Sequence, residues 1–144
     1  MPLKVEKIEN GTVIDHISSG EGLRVMKILG IGLGFSARFA LIANVKSKKM
    51  GKKDILKIEE KYIDEKDFDK IALVAPSASV NIVKGGRVAK KKNVAMPARI
   101  DGVLACPNPK CITNFEQVAS AFFVEKKTLR CAYCERSFSA GELI

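Results

Sequence analysis

Five segments of the first 97 residues are predicted as strands: residues alternate between two faces with a period of two in 38–45 and 54–62, 12–17 is rich in β-forming residues, and 78–84 and 88–91 flank a hairpin signal. Gly85 and Gly86 separate the last two segments and predict a hairpin turn. A two-residue turn would place Asn81 opposite Lys90, whereas a three-residue loop that includes Arg87 would place Asn81 opposite Lys91.

Apolar residues at helical spacing predict two helices between these strands. Ser18, followed three residues later by Glu21, has the pattern of a capping box and predicts a helix that ends at Gly30. Asp64 predicts the start of a second helix, which Pro76 ends. The order is strand, helix, two strands, helix, two strands. It predicts an α+β fold with a ferredoxin-like split βαβ sheet and two helices on one face.

The charge distribution divides the 144-residue chain into two parts. Residues 1–97 contain 19 Lys or Arg and 11 Asp or Glu, a balance of +8, while residues 98–144 contain 6 and 5, a balance of +1. Met96-Pro97 interrupts any regular element between them. We therefore predict two domains, 1–97 and 98–144, the second of them a small, mainly antiparallel β domain with all four cysteines.

The overall composition excludes a disordered chain and a membrane-spanning chain. Hydrophobic residues make up 47% of the sequence, and no run of about 20 apolar residues free of charge occurs. Residues 1–10 lack a basic start followed by an apolar segment, so the sequence predicts a cytoplasmic protein.

The four cysteines have the spacing of a zinc site. Cys106 and Cys111 form C-x4-C, Cys131 and Cys134 form C-x2-C, and 19 residues separate the pairs. Paired cysteines place two thiolates on one ion, and a reducing compartment disfavours disulfides. Four buried or disulfide-paired cysteines without metal are the alternative. Four thiolates close the coordination shell, so we predict one structural Zn²⁺ and no catalytic metal.

Two roles are open to this zinc domain. Zinc ribbons in many proteins bind nucleic acid, and a zinc-ribbon nucleic-acid-binding protein is the alternative function. Such binding requires a local basic surface, which a balance of +1 does not provide. Docking to a protein is therefore favoured.

The basic excess of the first domain falls in two lysine clusters, at residues 46–57 and 84–92. Lys53 and Lys57 share one face of a strand, about 13 Å apart. If the two clusters lie on neighbouring strands, they concentrate positive charge for a polyphosphate. Asp15 and His16 are adjacent in sequence, so both can reach one ligand only near a strand end.

Four motifs, in order along nearly the whole chain, resemble one family. They are Gly11-Thr-Val-Ile-Asp15-His16-Ile17, Gly51-Lys-Lys53-Asp54-Ile-Leu-Lys57-Ile-Glu59, Ala75-Pro-Ser-Ala-Ser-Val80-Asn81, and Cys106-Pro-Asn-Pro-Lys-Cys111-Ile with Cys131-Ala-Tyr-Cys134-Glu135. Together they resemble the regulatory chain of aspartate carbamoyltransferase, an enzyme of pyrimidine biosynthesis.

The resemblance implies a non-catalytic, allosteric subunit. Its N-terminal domain would bind CTP or ATP and form a homodimer, and its zinc domain would contact the catalytic chain in a hetero-oligomer. The residues that fall on the family's effector positions are Asp15, His16, Lys57, Asn81 and Lys91, with Lys53, Ile8 and Val88 as lesser candidates. The resemblance implies that the lysines and His16 face phosphate and ribose oxygens, and that Asp15 and Asn81 bind sugar or base. It favours the register that places Lys91 opposite Asn81.

Overall fold

The computed structural model describes residues 8–32, 34–126 and 128–143. The chain forms two compact units, Met1–Ala95 and Met96–Ile144. Of the first ten residues, from which the absence of a secretory leader was predicted, only residues 8–10 are described.

Unit 1 is a five-stranded sheet with two helices. Its elements are β1 (Gly11–Ser18), α1 (Gly22–Ile28), β2 (Phe39–Ser47), β3 (Gly51–Glu59), α2 (Glu65–Val74), β4 (Ser79–Lys84) and β5 (Arg87–Asn93). The strand order is β2-β3-β1-β4-β5, and every neighbouring pair is antiparallel. The first four strands have the order of a split βαβ unit, and β5 extends it, so the α+β prediction is confirmed.

The core lies between the helices and one face of the sheet. Ile14, Leu56 and Ile58 on this face have no exposed surface, and Val25 of α1 and Ile71 of α2 are equally buried. Because side chains alternate along a strand, the intervening residues point to the opposite face, which no described helix covers. We call this second face the open face.

The capping box predicted at Ser18 is wrong. Ser18 is the last residue of β1, and α1 begins one turn later with Glu21 at its N-cap and no side-chain cap. A distant residue replaces the local cap: buried Asp54 of β3 accepts hydrogen bonds from the backbone N–H of Gly20 and Gly22 at 3.1 and 3.0 Å. The second predicted cap is confirmed, because Asp64 and Asp67 form a reciprocal capping box on α2.

β3 and β2 differ from the prediction, the first in its limits and the second in its regularity. β3 ends at Glu59, so Tyr62 lies beyond the strand to which it was assigned. β2 contains a bulge between Ile42 and Val45, where Asn44 has a φ of 59°. The bulge interrupts the alternation that predicted a regular strand over residues 38–45.

Unit 2 has a four-stranded antiparallel sheet of short strands. Its elements are β6 (Arg99–Asp101), a 3₁₀ turn (Ile112–Asn114), β7 (Ala121–Val124), β8 (Leu129–Cys131), β9 (Ser137–Phe138) and α3 (Ala140–Leu143), with the strand order β6-β7-β8-β9. Ile100, Phe122 and Leu129 are buried on the inner face of the sheet. A small β domain was predicted here.

The helices of the described residues are short, α2 being the longest with ten residues. None of them combines the length and apolar character needed to cross a bilayer.

Candidate functional site

Four side chains form a row across the open face of unit 1. Val13 of β1 pairs with Lys57 of β3 on one side and with Asn81 of β4 on the other, and Asn81 pairs with Lys91 of β5. Directly paired residues share a face, and neighbouring strands are about 4.8 Å apart, so the two lysines stand about 14 Å apart at the ends of the row. Three of the predicted effector residues are therefore brought together.

A bulge in β5 decides the register of this row. The turn contains only Gly85 and Gly86, both with positive φ, as a two-residue hairpin turn requires. Pairing then skips Ala89, and this extra residue shifts the register by one. Asn81 consequently faces Lys91 across a two-residue turn, a combination that neither predicted alternative contained.

A second bulge lies in β1 and brings Asp15 and His16 to the same face. Pairing with β3 is interrupted there, and His16 has a φ of 58°. Lys53 Nζ lies 2.9 Å from Asp15 Oδ1, and His16 Nδ1 lies 2.9 Å from Ser79 Oγ. The bulge, two residues before the end of β1, places two adjacent residues beside the row.

The charge of Asp15 is stabilised in this setting. Partial burial raises the pKa of its carboxyl group, but the hydrogen bond from Lys53, the hydrogen bond from the His16 amide and the positive charge of Lys53 outweigh burial. The net pKa is below the ordinary value of an aspartate. Lys53 therefore stabilises the ionised form of Asp15 in the absence of a ligand.

The two remaining predicted residues, Ile8 and Val88, border an apolar cavity of about 200 Å³ at the end of the row. Its lining is Ile8, Val13, Lys57, Val83, Gly86 and Val88. A cavity with apolar walls and one ammonium group at its margin can accommodate a flat heterocycle next to an anionic group.

The two lysine clusters do not lie on neighbouring strands, so the condition for concentrating their charge is not met. β1 separates β2 and β3, which carry the first cluster, from β4 and β5, which carry the second. The positive charge is therefore spread along a row, with polar and apolar side chains between its ends.

Sequence reasoning missed three residues of this face. Val13 lies at the centre of the row, Ser79 binds His16, and Val83 lines the cavity. Val13 and Val83 look like ordinary strand residues, and the signal that could have found them is the identity of their pairing partners in neighbouring strands.

The four cysteines converge in unit 2. Their sulfur atoms all lie within 4.8 Å of one another, and Sγ–Sγ distances are 3.7 Å for Cys106–Cys134 and for Cys111–Cys131. A tetrahedral site with Zn–S bonds of about 2.3 Å places sulfurs about 3.8 Å apart. The donor set and its spacing therefore fit a structural zinc site with no open position.

Asparagines that the sequence did not single out shape the first cysteine loop. Asn114 Nδ2 donates to the backbone oxygens of Cys106 and Asn108, at 3.1 and 2.7 Å. Asn108 Oδ1 in turn accepts from the backbone N–H of Lys110. These bonds fix the loop that presents Cys106 and Cys111.

The thiols differ in their tendency to ionise without metal. Burial raises the pKa of Cys106 to about 12. Burial acts on Cys111 in the same direction, but hydrogen bonds from the Thr113 hydroxyl and amide outweigh it and hold the pKa of Cys111 at about 7. A metal that needs four thiolates must therefore displace protons from the cluster.

Comparison with known sequences decides the family. The family model of the aspartate carbamoyltransferase regulatory chain, allosteric domain, matches residues 3–95, and that of its metal binding domain matches residues 98–144. The chain belongs to the family of aspartate carbamoyltransferase regulatory chains. The resemblance seen in the sequence is thereby confirmed.

Named regulatory chains of this family match over nearly their whole length. That of Pyrococcus horikoshii is 48% identical over 146 residues, covering 99% of this chain and 96% of the relative. That of Thermococcus kodakarensis is 47% identical, covering 98% and 95%, and that of Saccharolobus solfataricus is 46% identical, covering 99% and 92%.

Family membership makes this chain a non-catalytic regulatory subunit with an allosteric and a metal-binding domain, and it implies the catalytic chain as a partner. The four clustered cysteines agree with the metal-binding domain. The alternative of a zinc-ribbon nucleic-acid-binding protein is not supported.

Proposed function

We propose that residues 1–97 bind CTP or ATP on the open face, and that the effector contacts Asp15, His16, Lys57, Asn81 and Lys91, with Lys53, Ile8 and Val88 at the margin. The observation that carries the proposal is the row from Lys57 to Lys91. Its two ammonium groups are separated by a neutral amide and an apolar side chain.

The charges of the row suit a nucleoside triphosphate. Within the described residues, no carboxylate lies within 4.0 Å of the Nζ atom of Lys57 or Lys91, so both are available to phosphate or ribose oxygens. Asp15 and Asn81 supply acceptors and donors for sugar or base. The apolar cavity beside Lys57 has the character of a base pocket.

The test is calorimetric titration of the zinc-loaded protein with CTP and with ATP. Lys57→Ala and Lys91→Ala should each weaken binding at least about tenfold, since each removes a charge-assisted contact. Lys90→Ala is the matched control, because Lys90 neighbours Lys91 in β5 but pairs with Ile82 and so points to the helix side. If both open-face variants bind nucleotide as the wild type does, the site is wrong.

We also propose that unit 1 pairs with a second copy through the free edge of β2. β5, at the other edge, carries Arg87 and three consecutive lysines, which oppose edge-to-edge pairing. β2 has seven uncharged residues from Phe39 to Val45 and lacks this protection. Ala43→Lys should give a monomer in sedimentation analysis, whereas Ala89→Lys in β5 should leave the dimer intact.

The zinc domain, residues 98–144, would then connect this dimer to the catalytic chain. Effector binding changes activity only if the nucleotide binds two states of the assembly with different affinity. Copurification with the catalytic chain and a change in its aspartate response on addition of CTP would support the proposal. A chain that neither binds the catalytic chain nor changes its response would refute it.

Four metal-binding thiols suit a reducing compartment, and we place the assembly in the cytoplasm.

A further inference from the structure

A row of three side chains crosses the outer face of the unit 2 sheet. Phe123 of β7 pairs with Arg99 of β6 and with Arg130 of β8, so the three share one face. Their sequence neighbours Ile100 and Phe122 are buried on the inner face. We call Arg99, Phe123 and Arg130 the arginine row.

Both guanidinium groups of the row pack against the same aromatic ring. The Cζ atoms of Arg99 and Arg130 lie 5.3 and 5.1 Å from the Phe123 ring centroid. Stacking on a ring orients a planar guanidinium and reduces the rotamer entropy that binding would otherwise remove. The row therefore presents two oriented forks of N–H donors on a half-buried aromatic base.

Both arginines of the row form ion pairs with exposed carboxylates of the same unit. Arg99 Nε lies 2.6 Å from Asp101 Oδ1, and Arg130 Nε lies 3.3 Å from Glu125 Oε1. The side chains of Arg99 and Arg130 are 51% and 39% exposed. Exposed ion pairs contribute little to stability, so carboxylates from another protein can replace these partners at small cost.

Tyr133, between the last two zinc ligands in sequence, is a second aromatic residue of unit 2 with exposed surface. Its side chain is 45% exposed. Arginine, tyrosine and phenylalanine are enriched in protein interfaces, and arginine and tyrosine dominate their binding energy.

We propose that the arginine row is an anchor through which unit 2 binds carboxylate side chains of the catalytic chain. The inference rests on the proposed docking role of the zinc domain and specifies the surface and the chemistry of its partner. Family membership implies the catalytic chain as the occupant, and charge complementarity gives the chemistry of the contact: two forked donors on one ring match a surface that presents two carboxylates.

The test measures binding of the full-length, zinc-loaded protein to the catalytic chain of the same organism by sedimentation. Arg99→Ala and Arg130→Ala should each raise Kd at least about tenfold. Arg99→Lys should weaken binding as well, because lysine keeps the charge but loses the fork and the stacking. Lys126→Ala, an exposed cation of the same unit, is the control and should bind as the wild type does.

Zinc content and CTP affinity of each variant show that both units remain folded. If the wild type binds the catalytic chain and both alanine variants bind equally well, the anchor is wrong while the docking role stands. If the wild type does not bind the catalytic chain, the docking role itself is wrong. Loss of affinity for a labelled single-stranded oligonucleotide, with binding to the catalytic chain intact, would also overturn the anchor.

Discussion

The carboxylate of Asp54 and the backbone N–H of Gly22 form a buried hydrogen bond of 3.0 Å that joins β3 to the start of α1. The same carboxylate accepts from Gly20 and from Asn44 in the β2 bulge. Asp54 is 2% exposed. One side chain thus satisfies three backbone donors, two at the start of α1 and one in β2.

Asp54→Ala should lower the free energy of unfolding by about 2–4 kcal/mol, because it leaves buried donors without an acceptor. Urea denaturation, followed by circular dichroism, measures the change. Glu9→Ala removes an exposed carboxylate of the same unit and should change stability by no more than about 0.5 kcal/mol. Equal midpoints for the two variants would contradict this role of Asp54.

Gly22→Ala should destabilise the protein by about 1–3 kcal/mol, because the added methyl group has no room. A Cβ at this position would lie 2.6 Å from Leu41 Cδ1 and 2.9 Å from Asp54 Oδ2. Gly32→Ala is the control, since a Cβ there meets nothing within 4 Å. Thermal unfolding of both variants should show a lower midpoint for the first alone.

Lys53→Met should raise the pKa of Asp15. Burial, the largest influence, already raises this pKa, and the substitution removes the strongest opposing one. Because the folded pKa is lowered in the wild type, the stabilisation is complete above the ordinary value of about 3.9 and is lost as pH falls through the lowered pKa. Carboxyl NMR titration measures the shift, and Lys52→Met, on the opposite face of β3, should leave the pKa of Asp15 unchanged.

Thr113→Val should shift the pH dependence of zinc retention to higher pH. The Thr113 hydroxyl helps to hold the pKa of Cys111 at about 7, and zinc binds the thiolate. Protons therefore compete with the metal as pH falls. With a higher pKa for Cys111, this competition begins at a higher pH. Zinc release to a colorimetric chelator across a pH series measures the midpoint. Val118→Ala, an exposed change in the same unit, should not move it.

Local signals in the sequence predicted local features of the fold. The cap at Asp64 needs only Asp67 three residues away, and the cysteine pairs need only short loops. The cap predicted at Ser18 is wrong because Asp54, 32 residues beyond Gly22, supplies the acceptor. A capping pattern spans four residues, so it cannot reveal an acceptor that lies 32 residues away.

The arrangement of the open face was less predictable for the same reason. Its residues were identified through family resemblance, but their alignment depends on two bulges, at Asp15–His16 and at Ala89. A bulge shifts pairing by one residue, and alternation alone cannot reveal it.

The run of three lysines that follows Ala89 gives this edge strand a tolerance to slippage. If the bulge were lost, every residue beyond it would move by one position, and Lys90 would replace Lys91 opposite Asn81. An ammonium group would face Asn81 in either alignment. Consecutive lysines therefore keep a positive charge opposite Asn81 in either register. A shift of this edge strand by one residue would change the geometry of the row but not its charge.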